Sequence, residues 1–349
     1  MRLEWDFYPV TEFPAFKDAW QSVNLSDASS PVLSPEFVAP LLEVFAKGNE
    51  KLAVCRADSQ AVAMAVLVKR NFAVWETFQP AQAPIGLWLS NPEIKLEALL
   101  RSLLNSLPGY PVLLALTQRD PELCPRPPDE GCIRTLDYVE TGVISLENSY
   151  QGYWSARDGQ LRKSVNRRLR QLAEQGIEPR LQVLSNPASV AEAVEQFGSL
   201  ESMGWKGREG TAVHASNSQG RFYSSVLEAF CGKGKGCIYR YWFNDAVVAM
   251  QLSIREGGVE VFLKTTFDEN YRAFGPGILL KRSIIEFLYG MGCVQRIELY
   301  GRLRDYQTKW IGSSKVMYHV NYYRWAGLHR IMEWLRAALR NPSQRKSKD

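Results

Sequence analysis

The segment KTTFDENYRAFGPGILLK, residues 264–281, joins the end of a predicted strand to the start of a predicted helix. Within it, Arg272, Gly275 and Gly277 spell the pattern R-x-x-G-x-G. Glycines let a backbone approach a ligand closely, and a new helix presents unpaired N–H groups and the positive end of its dipole. The segment therefore predicts a cradle for a pyrophosphate group, to which Arg272 adds charge.

Backbone amides around this bend form the predicted donor set: Phe274, Gly275, Gly277 and Ile278. Pro276 contributes none because it has no N–H. The first half of the chain lacks the pattern, since Gln82–Gly86 in the equivalent place has no arginine and only one glycine. Only the second half is therefore expected to bind the phosphate ligand.

Strand-like runs and helices surround the segment in a regular order. Three runs joined by short polar turns predict an antiparallel meander, at 237–243, 247–255 and 259–267. A helix (277–289), a strand (296–300), a short helix (303–310) and a last strand (315–323) are predicted to follow.

The first 150 residues repeat this order. Ala61-Val62-Ala63-Met64 in one meander matches Val247-Val248-Ala249-Met250 in the other, which indicates an internal duplication. Two generic α/β domains that merely look alike are the alternative. The predicted fold class is mixed α/β (α+β), with two tandem modules, each a mostly antiparallel sheet flanked by helices. The predicted divisions are 1–150 (degenerate module), 151–176 (basic connecting helix), 177–323 (module with the cradle) and 324–349 (amphipathic helix and polar tail).

Several phrases carry a family resemblance: LRKSVNRRLRQL, GWKGREGTA, TTFDENYRAFGPGILL and DYQTKW. Together with the R-x-x-G-x-G pattern, they resemble the Fem/CelD-like branch of the GNAT superfamily of N-acyltransferases. That branch has tandem GNAT-like modules, and it includes exopolysaccharide biosynthesis proteins and peptidoglycan aminoacyl-transferases. The resemblance covers most of the chain, best over 150–320, and implies acyl-CoA as the donor substrate.

The resemblance also implies an oxyanion site. In GNAT proteins the strand before the cradle splays from its neighbour, and its free N–H groups bind the thioester carbonyl. Here that strand is 259–267, and the implied donors are Leu263, Lys264 and Thr265. One oxyanion donor contributes about 100–1000-fold in rate.

Candidates for proton transfer are Asp268, Tyr300 and Lys309, with Glu298 and Asp305 beside them in the sequence. Tyr300 ends a predicted strand where this superfamily often places an acid, and an ordinary strand-end aromatic is the alternative. Lys309 is the lysine that recurs after the aromatic helix in Fem-like proteins, although with Asp305 it also fits a surface ion pair.

Acceptor-binding residues often follow the helix predicted at 187–202 in this superfamily. Trp205 and Lys206 occupy that place. Core packing for Trp205 and simple solvation for Lys206 are the alternatives.

Composition separates the two halves by charge. The chain has 349 residues, and its 46% hydrophobic and 23% charged content is globular. Residues 1–150 hold 12 Lys and Arg against 19 Asp and Glu, a net charge of −7, whereas the rest hold 30 against 18, a net charge of +12. The second half is thus expected to meet an anion.

Cysteine and histidine usage gives no support to a metal site. The six cysteines form no C-x-x-C pair, and the chain has three histidines, so a zinc site is not expected. No apolar run approaches the ~20 residues of a bilayer span. The acidic N-terminus does not resemble a signal peptide, and a cytoplasmic protein is the expectation.

A basic amphipathic helix is predicted at 160–175, with three interpretations: a solvated helix face, a site for a phosphate-rich acceptor or tRNA, or contact with an anionic membrane. A second basic amphipathic helix at 324–340 favours the membrane interpretation. A DNA partner is not expected.

The leading hypothesis is an acyltransferase that moves an acyl group from acyl-CoA, or a related thioester, to an amine or hydroxyl of a saccharide or cell-envelope precursor. One alternative is a Fem-like transferase that uses aminoacyl-tRNA. The other is a non-catalytic peripheral factor in exopolysaccharide biosynthesis.

Overall fold

The computed structural model describes residues 2–26, 29–203, 213–214 and 216–330. Its strands, in chain order, are β1 (Glu4–Pro9), β2 (Lys51–Ala57), β3 (Gln60–Asn71), β4 (Val74–Thr77), β5 (Trp88–Ser90), β6 (Leu113–Arg119), β7 (Ile133–Ser145), β8 (Pro179–Leu184), β9 (Gly236–Phe243), β10 (Ala246–Glu256), β11 (Val259–Phe267), β12 (Arg296–Leu299) and β13 (Ser313–Tyr323). The described α-helices are α1 (Lys17–Ser26), α2 (Pro35–Phe45), α3 (Leu96–Ser106), α4 (Tyr150–Ser155), α5 (Gly159–Glu174), α6 (Val190–Ser202), α7 (Ser218–Cys231), α8 (Pro276–Met291) and α9 (Asp305–Thr308).

The chain divides into two compact units, and neither is a continuous segment. The first unit contains the described residues of 1–28, 46–138 and 316–349, and the second contains Ser29–Phe45 and Val139–Lys315. Each unit thus includes chain from both halves of the sequence. The linear boundaries predicted from the sequence do not capture this exchange, because which segment completes a sheet is decided by long-range pairing.

In the second unit, β9, β10 and β11 form the predicted antiparallel meander, and β8 pairs antiparallel with β9. Strand β12 adds to β11 in parallel, after the crossover helix α8. Residues 142–145 of β7 pair antiparallel with β12 although they precede the whole meander in sequence.

The first unit has the same sequence of strand directions. Strands β1 to β4 are antiparallel, with β5 paired to β3, and β6 joins β4 in parallel. Residues 318–323 of β13 then pair antiparallel with β6. The same strand arrangement in both units agrees with the duplication, and the mostly antiparallel strands flanked by helices confirm the predicted fold class.

A separate hydrophobic core fills each unit. In the second unit, α5 and α8 bury apolar side chains against the sheet, including Val165, Leu172, Leu280 and Ile284. In the first unit, α3 buries Leu99 and Leu103 beside Trp88 and Tyr318. Burial of this kind stabilises a fold by about 1.5–3 kcal/mol for each large apolar side chain.

Helix α2 belongs to the second unit although it lies early in the sequence. Phe37 and Phe45 contact Phe222 of α7, with ring centroids 5.4 and 5.5 Å apart. Glu36 forms an ion pair with Lys233 at the end of the same helix.

The predicted helix at 324–340 lies mostly outside the described residues, which end at Arg330. Among the helices that the structure describes, none combines the length and apolar character needed to span a membrane.

Candidate active site

Strands β11 and β12 stay together for only a short distance. The parallel ladder pairs Val259, Glu260 and Val261 of β11 with residues of β12, and it ends there among the described residues although β11 continues to Phe267. This divergence matches the splay that the family resemblance implied. It leaves the C-terminal half of β11 with a strand neighbour on one side only.

A β-bulge interrupts β11 at the point of divergence. Leu252 pairs with Lys264 and Ser253 with Phe262, so Leu263 is the extra residue. A bulge changes which way the following backbone groups point. Leu263 and Lys264, both predicted oxyanion donors, therefore lie where the backbone changes direction.

Beyond the bulge, amide directions can be followed from a known hydrogen bond. The Asp268 N–H donates to the Val248 carbonyl at 2.8 Å, toward β10. Since amide directions alternate along a strand, the N–H groups of Thr265 and Phe267 face the side from which β12 has diverged. Both residues are exposed, with Phe267 at 38%.

The first unit closes the equivalent gap with side chains. The ladder of β4 and β6 also covers three pairs, but the Thr77 and Thr117 hydroxyls then bond to each other at 2.7 Å. Thr77 Oγ1 also accepts from the Thr117 N–H at 2.9 Å. Gly86 fits closely against them, since a Cβ there would overlap the Thr117 carbonyl and both hydroxyls. Among the described residues, no such hydroxyl pair bridges the corresponding gap of the second unit, and we call this gap the open splay.

The glycine bend has the predicted position but not the full set of free amides. Gly275 adopts the left-handed conformation (φ 62°, ψ 54°) that precedes α8, where glycine avoids the strain of a Cβ. Its N–H donates to the Arg272 carbonyl at 3.0 Å, and the Ile278 N–H donates to the Gly275 carbonyl at 3.0 Å.

These two bonds correct the predicted donor set. The N–H groups of Gly275 and Ile278 are used in hydrogen bonds within the turn itself, as expected when a tight bend leads into a helix, so they are not free to bind a ligand. Phe274 lies in the last turn of the 3₁₀ helix Glu269–Phe274. Gly277 remains as the amide at the start of α8 that makes no backbone hydrogen bond within the described chain.

Arg168 of α5 lies directly against this bend. A Cβ added at Gly275 would overlap Arg168 Nε, and Cζ would be 3.1 Å away. The Nε atom is buried without a hydrogen-bond partner, while Nη1 bonds to Ser164 Oγ. Burial and the neighbouring Arg167 lower the pKa of Arg168. Sequence reasoning placed Arg168 on a basic helix but not at the cradle, because no local pattern joins residue 168 to residue 275.

The ammonium group of Lys264, whose side chain is 14% exposed, is held by two polar side chains. Its Nζ lies 2.9 Å from Glu201 Oε2 and 3.0 Å from Gln219 Oε1. The Glu201 carboxylate also accepts the Val213 N–H at 2.8 Å. Sequence reasoning missed Glu201, which connects the end of α6 to β11.

The predicted proton-transfer groups have distinct surroundings. Asp268 caps the 3₁₀ helix by accepting the Asn270 N–H at 2.9 Å, which is a structural task. Tyr300 follows β12, and Lys315 Nζ lies 5.3 Å from its ring centroid. The same Lys315 forms a buried ion pair with Glu298 at 2.8 Å.

Lys309 lies beside the start of α5. Its Nζ is 3.9 Å from Asp158 Oδ1, which caps α5 by accepting the Leu161 N–H at 2.8 Å. The surface pair with Asp305 is therefore not the contact that Lys309 makes. The next residue, Trp310, is buried, and its carbonyl accepts from the Tyr153 hydroxyl at 2.8 Å.

Lys281 of α8 is a further cation that sequence reasoning did not single out. Its Nζ lies 5.9 Å from the Tyr306 ring centroid and 5.7 Å from that of Trp310. No carboxylate of the described chain lies within ion-pair distance, and burial lowers the pKa of its amine to about 8.

The splay of β11, the Gly275 bend and Arg168 all belong to the second unit, as do Lys309 and its neighbour Asp158. Trp205 and Lys206 fall outside the described residues, so their acceptor role stays a prediction.

Comparison with known proteins agrees with this geometry. Residues 159–308 match the family described as "Acetyltransferase (GNAT) domain". No curated protein matches the sequence.

Among solved structures, similarity extends over almost the whole chain. The C-terminal domain of a putative lysylphosphatidylglycerol synthetase from Agrobacterium fabrum has a TM-score of 0.58 at 12% identity, covering 93% of this chain and 96% of that one. FemX has a TM-score of 0.57 at 10% identity, covering 90% and 98%. L-PGS from Bacillus licheniformis has a TM-score of 0.54 at 11% identity, covering 91% and 95%.

The match over residues 159–308 confirms the predicted resemblance to the GNAT superfamily, and the solved structures, FemX among them, share the fold. An acyltransferase of the GNAT type is the function class that the family match supports. The resemblance to CelD-like proteins stays a prediction.

Proposed function

We propose that the second unit transfers an acyl group from acyl-CoA, or a related thioester, to an amine or hydroxyl of a saccharide or cell-envelope precursor. The observation that carries this proposal is the open splay of β11 and β12, with its bulge at Leu263. The first unit has the same strands but fills that gap with Thr77 and Thr117. The two units share one strand arrangement, but only in the first is the gap bridged by a hydroxyl pair of the described residues. This difference supports a ligand in the gap of the second unit.

In the proposed complex, the diphosphate of the donor lies at the start of α8. The Gly277 N–H, the helix dipole and the guanidinium groups of Arg168 and Arg272 would bind it. Arg168 occupies the concave side of the bend in this structure, so binding would exchange its contact with Gly275 for contact with phosphate.

The thioester would lie along β11, with its carbonyl oxygen toward the Thr265 N–H and the backbone of the bulge at Leu263, whereas the Lys264 N–H faces β10. Attack by the acceptor nucleophile on the carbonyl carbon forms a tetrahedral oxyanion, and these amides stabilise it. Collapse breaks the carbon–sulfur bond. Tyr300 would protonate the departing thiolate, while a carboxylate takes the proton of the acceptor.

Calorimetry with CoA, acetyl-CoA and longer acyl-CoAs tests the proposal. Wild-type protein is expected to bind at least one of them, and Arg272→Ala and Gly277→Val are expected to bind it more weakly. Arg180→Ala, on β8, is a matched control that removes an arginine from another part of the same unit. Absence of binding to every CoA and to acyl-carrier thioesters would overturn the donor assignment.

An aminoacyl-tRNA donor is the second candidate. The outward side of α5 favours it, because Lys163, Arg167 and Arg170 are all exposed there. One of the similar structures is named for lysylphosphatidylglycerol synthesis, which suggests an aminoacyl group and a lipid acceptor. tRNA binding that weakens steeply with salt, together with no affinity for CoA, would select this candidate.

A further inference from the structure

Three aromatic side chains of the first unit are exposed at one end of its strands, beyond the last residues of β3 and β13 and before the first residues of β4 and β6. Phe72 is 84% exposed, Tyr110 65% and Trp325 51%. Isolated exposed apolar residues are ordinary, whereas grouped ones mark interaction surfaces. These three come from segments far apart in sequence, so their grouping is a property of the fold.

Backbone hydrogen bonds bring the three segments together. The Ala73 carbonyl, next to Phe72 at the tip of the β3–β4 turn, accepts the Val112 N–H at 2.8 Å. The Val112 carbonyl in turn accepts the Arg324 N–H at 2.9 Å. The rings of Tyr110 and Trp325 then lie 6.2 Å apart. We call these segments, 69–73, 108–112 and 323–330, the aromatic edge.

All the charged residues of the aromatic edge are basic. Its charged residues are Lys69, Arg70, Arg324 and Arg330, and its sequence contains no Asp or Glu. Arg324 is held under Tyr110, with Cζ 4.2 Å from the ring centroid, and it donates to the Pro111 carbonyl at 2.7 Å. Arg70 pairs with Glu76 of β4 at 3.0 Å but keeps 68% of its side chain exposed.

We propose that the aromatic edge docks the protein on a bilayer that contains anionic phospholipid. Tryptophan and tyrosine favour the headgroup region, where an apolar ring and a polar group are both accommodated. Basic side chains beside them are attracted to anionic headgroups. The surface is positively charged and aromatic at once. It belongs to the first unit, whereas the open splay belongs to the second, so the proposal does not depend on the proposed function.

Vesicle flotation with the full-length protein tests this surface. Wild-type protein is expected to float with phosphatidylcholine vesicles that contain phosphatidylglycerol, and to stay behind with pure phosphatidylcholine. The triple variant Phe72→Ser, Tyr110→Ser, Trp325→Ser is expected to bind about tenfold more weakly or worse, because bound apolar area is lost. Lys69→Gln with Arg70→Gln is expected to weaken binding about fivefold for each charge removed.

Leu25→Ser is the matched control, since Leu25 is a 58% exposed apolar residue of the same unit outside the aromatic edge. It is expected to float like wild type. If the triple variant unfolds, Phe72→Ser alone replaces it, because that side chain is almost fully exposed. The proposal is overturned if wild-type protein binds equally well to vesicles with and without phosphatidylglycerol, or if the triple variant binds as tightly as wild type. A wild-type dimer that this variant converts to a monomer, without vesicle binding, overturns it in favour of a protein interface.

Discussion

At the scale of single residues, positive charge collects around Gly275, and neither Arg168 nor Arg272 forms an ion pair with a carboxylate of the described chain. Arg168 is half-buried there beside Arg167, and its Nε has no hydrogen-bond partner. The N-terminus of α8 adds the positive end of a helix dipole. Since an unpaired buried donor costs about 1–3 kcal/mol, an anionic ligand would relieve both the charge repulsion and the lost hydrogen bond.

Arg168→Ala is expected to weaken CoA binding by about 10–100-fold, the usual contribution of a charge-assisted hydrogen bond. Arg168→Lys is expected to recover part of the affinity, and Arg170→Ala, on the exposed face of the same helix, to change it little. Calorimetric dissociation constants for the three variants provide the measurement. Equal affinities for Arg168→Ala and Arg170→Ala would contradict a phosphate-binding role for Arg168.

Lys281 gives a second residue-scale prediction, on pH. Burial lowers the pKa of its amine from the ordinary 10.5 to about 8, so the folded protein releases this proton more easily than the unfolded chain does. The charged amine therefore destabilises the fold below about pH 8, and the penalty disappears as pH rises toward 10.5.

Lys281→Met is thus expected to be more stable than wild type at neutral pH, by an amount on the order of 1–3 kcal/mol. Its advantage is expected to shrink above about pH 8, where the wild-type amine loses its charge. Urea unfolding at several pH values measures both effects. Lys163→Met, which alters an exposed lysine of α5, should show no such trend. A stability difference for Lys281→Met that stays constant with pH would show that the amine is not perturbed.

At the scale of elements, the junction between the 3₁₀ helix and α8 depends on a glycine for two separate reasons. Gly275 has a positive φ, and Arg168 occupies the space that a Cβ would need. The first constraint is local to the turn, whereas the second joins the turn to α5.

A double-mutant cycle separates these constraints. Gly275→Ala is expected to reduce the free energy of unfolding by about 1–2 kcal/mol from backbone strain alone, and by more while Arg168 is present. In an Arg168→Ala background the overlap is gone, so only the strain should remain. Chemical denaturation of the four proteins gives the coupling energy. A coupling energy of zero would show that Arg168 moves away without cost.

At the scale of the whole molecule, each unit is completed by chain from outside its own half. The second unit includes α2 and the end of β7, and the first unit includes most of β13. This arrangement makes the sequence-defined module 177–323 an incomplete folding unit.

A fragment of residues 177–323 is expected not to fold cooperatively. It lacks the β7 segment that pairs with Ile297 of β12, and it lacks Phe37 and Phe45, which cover Phe222 of α7. Exposing such large aromatic side chains costs several kcal/mol, close to the whole stability of a typical domain. Circular dichroism during urea unfolding measures the transition, with full-length protein as the reference. A sharp, reversible transition for the fragment would contradict the role assigned to these segments.

Elements with strong local patterns were predictable from the sequence. The meander at 237–267, the crossover helix and the repeated order of elements were all predicted correctly. Their signals are the alternation of apolar residues, the turn residues and Gly275-Pro276, and each of these depends on only a few neighbouring residues. Helix α1 and the short strand β5 were missed, since neither has a distinct periodic pattern.

The sequence by itself determined the local elements, the duplication and the position of the glycine bend, since each depends on neighbouring residues. Only the tertiary structure decided that Arg168 covers the bend, that Thr77 and Thr117 close one gap while the other stays open, and that β7 and β13 complete their sheets from a distance. Those features depend on contacts between residues far apart in sequence, and such contacts follow from packing and strand pairing, which no local pattern specifies.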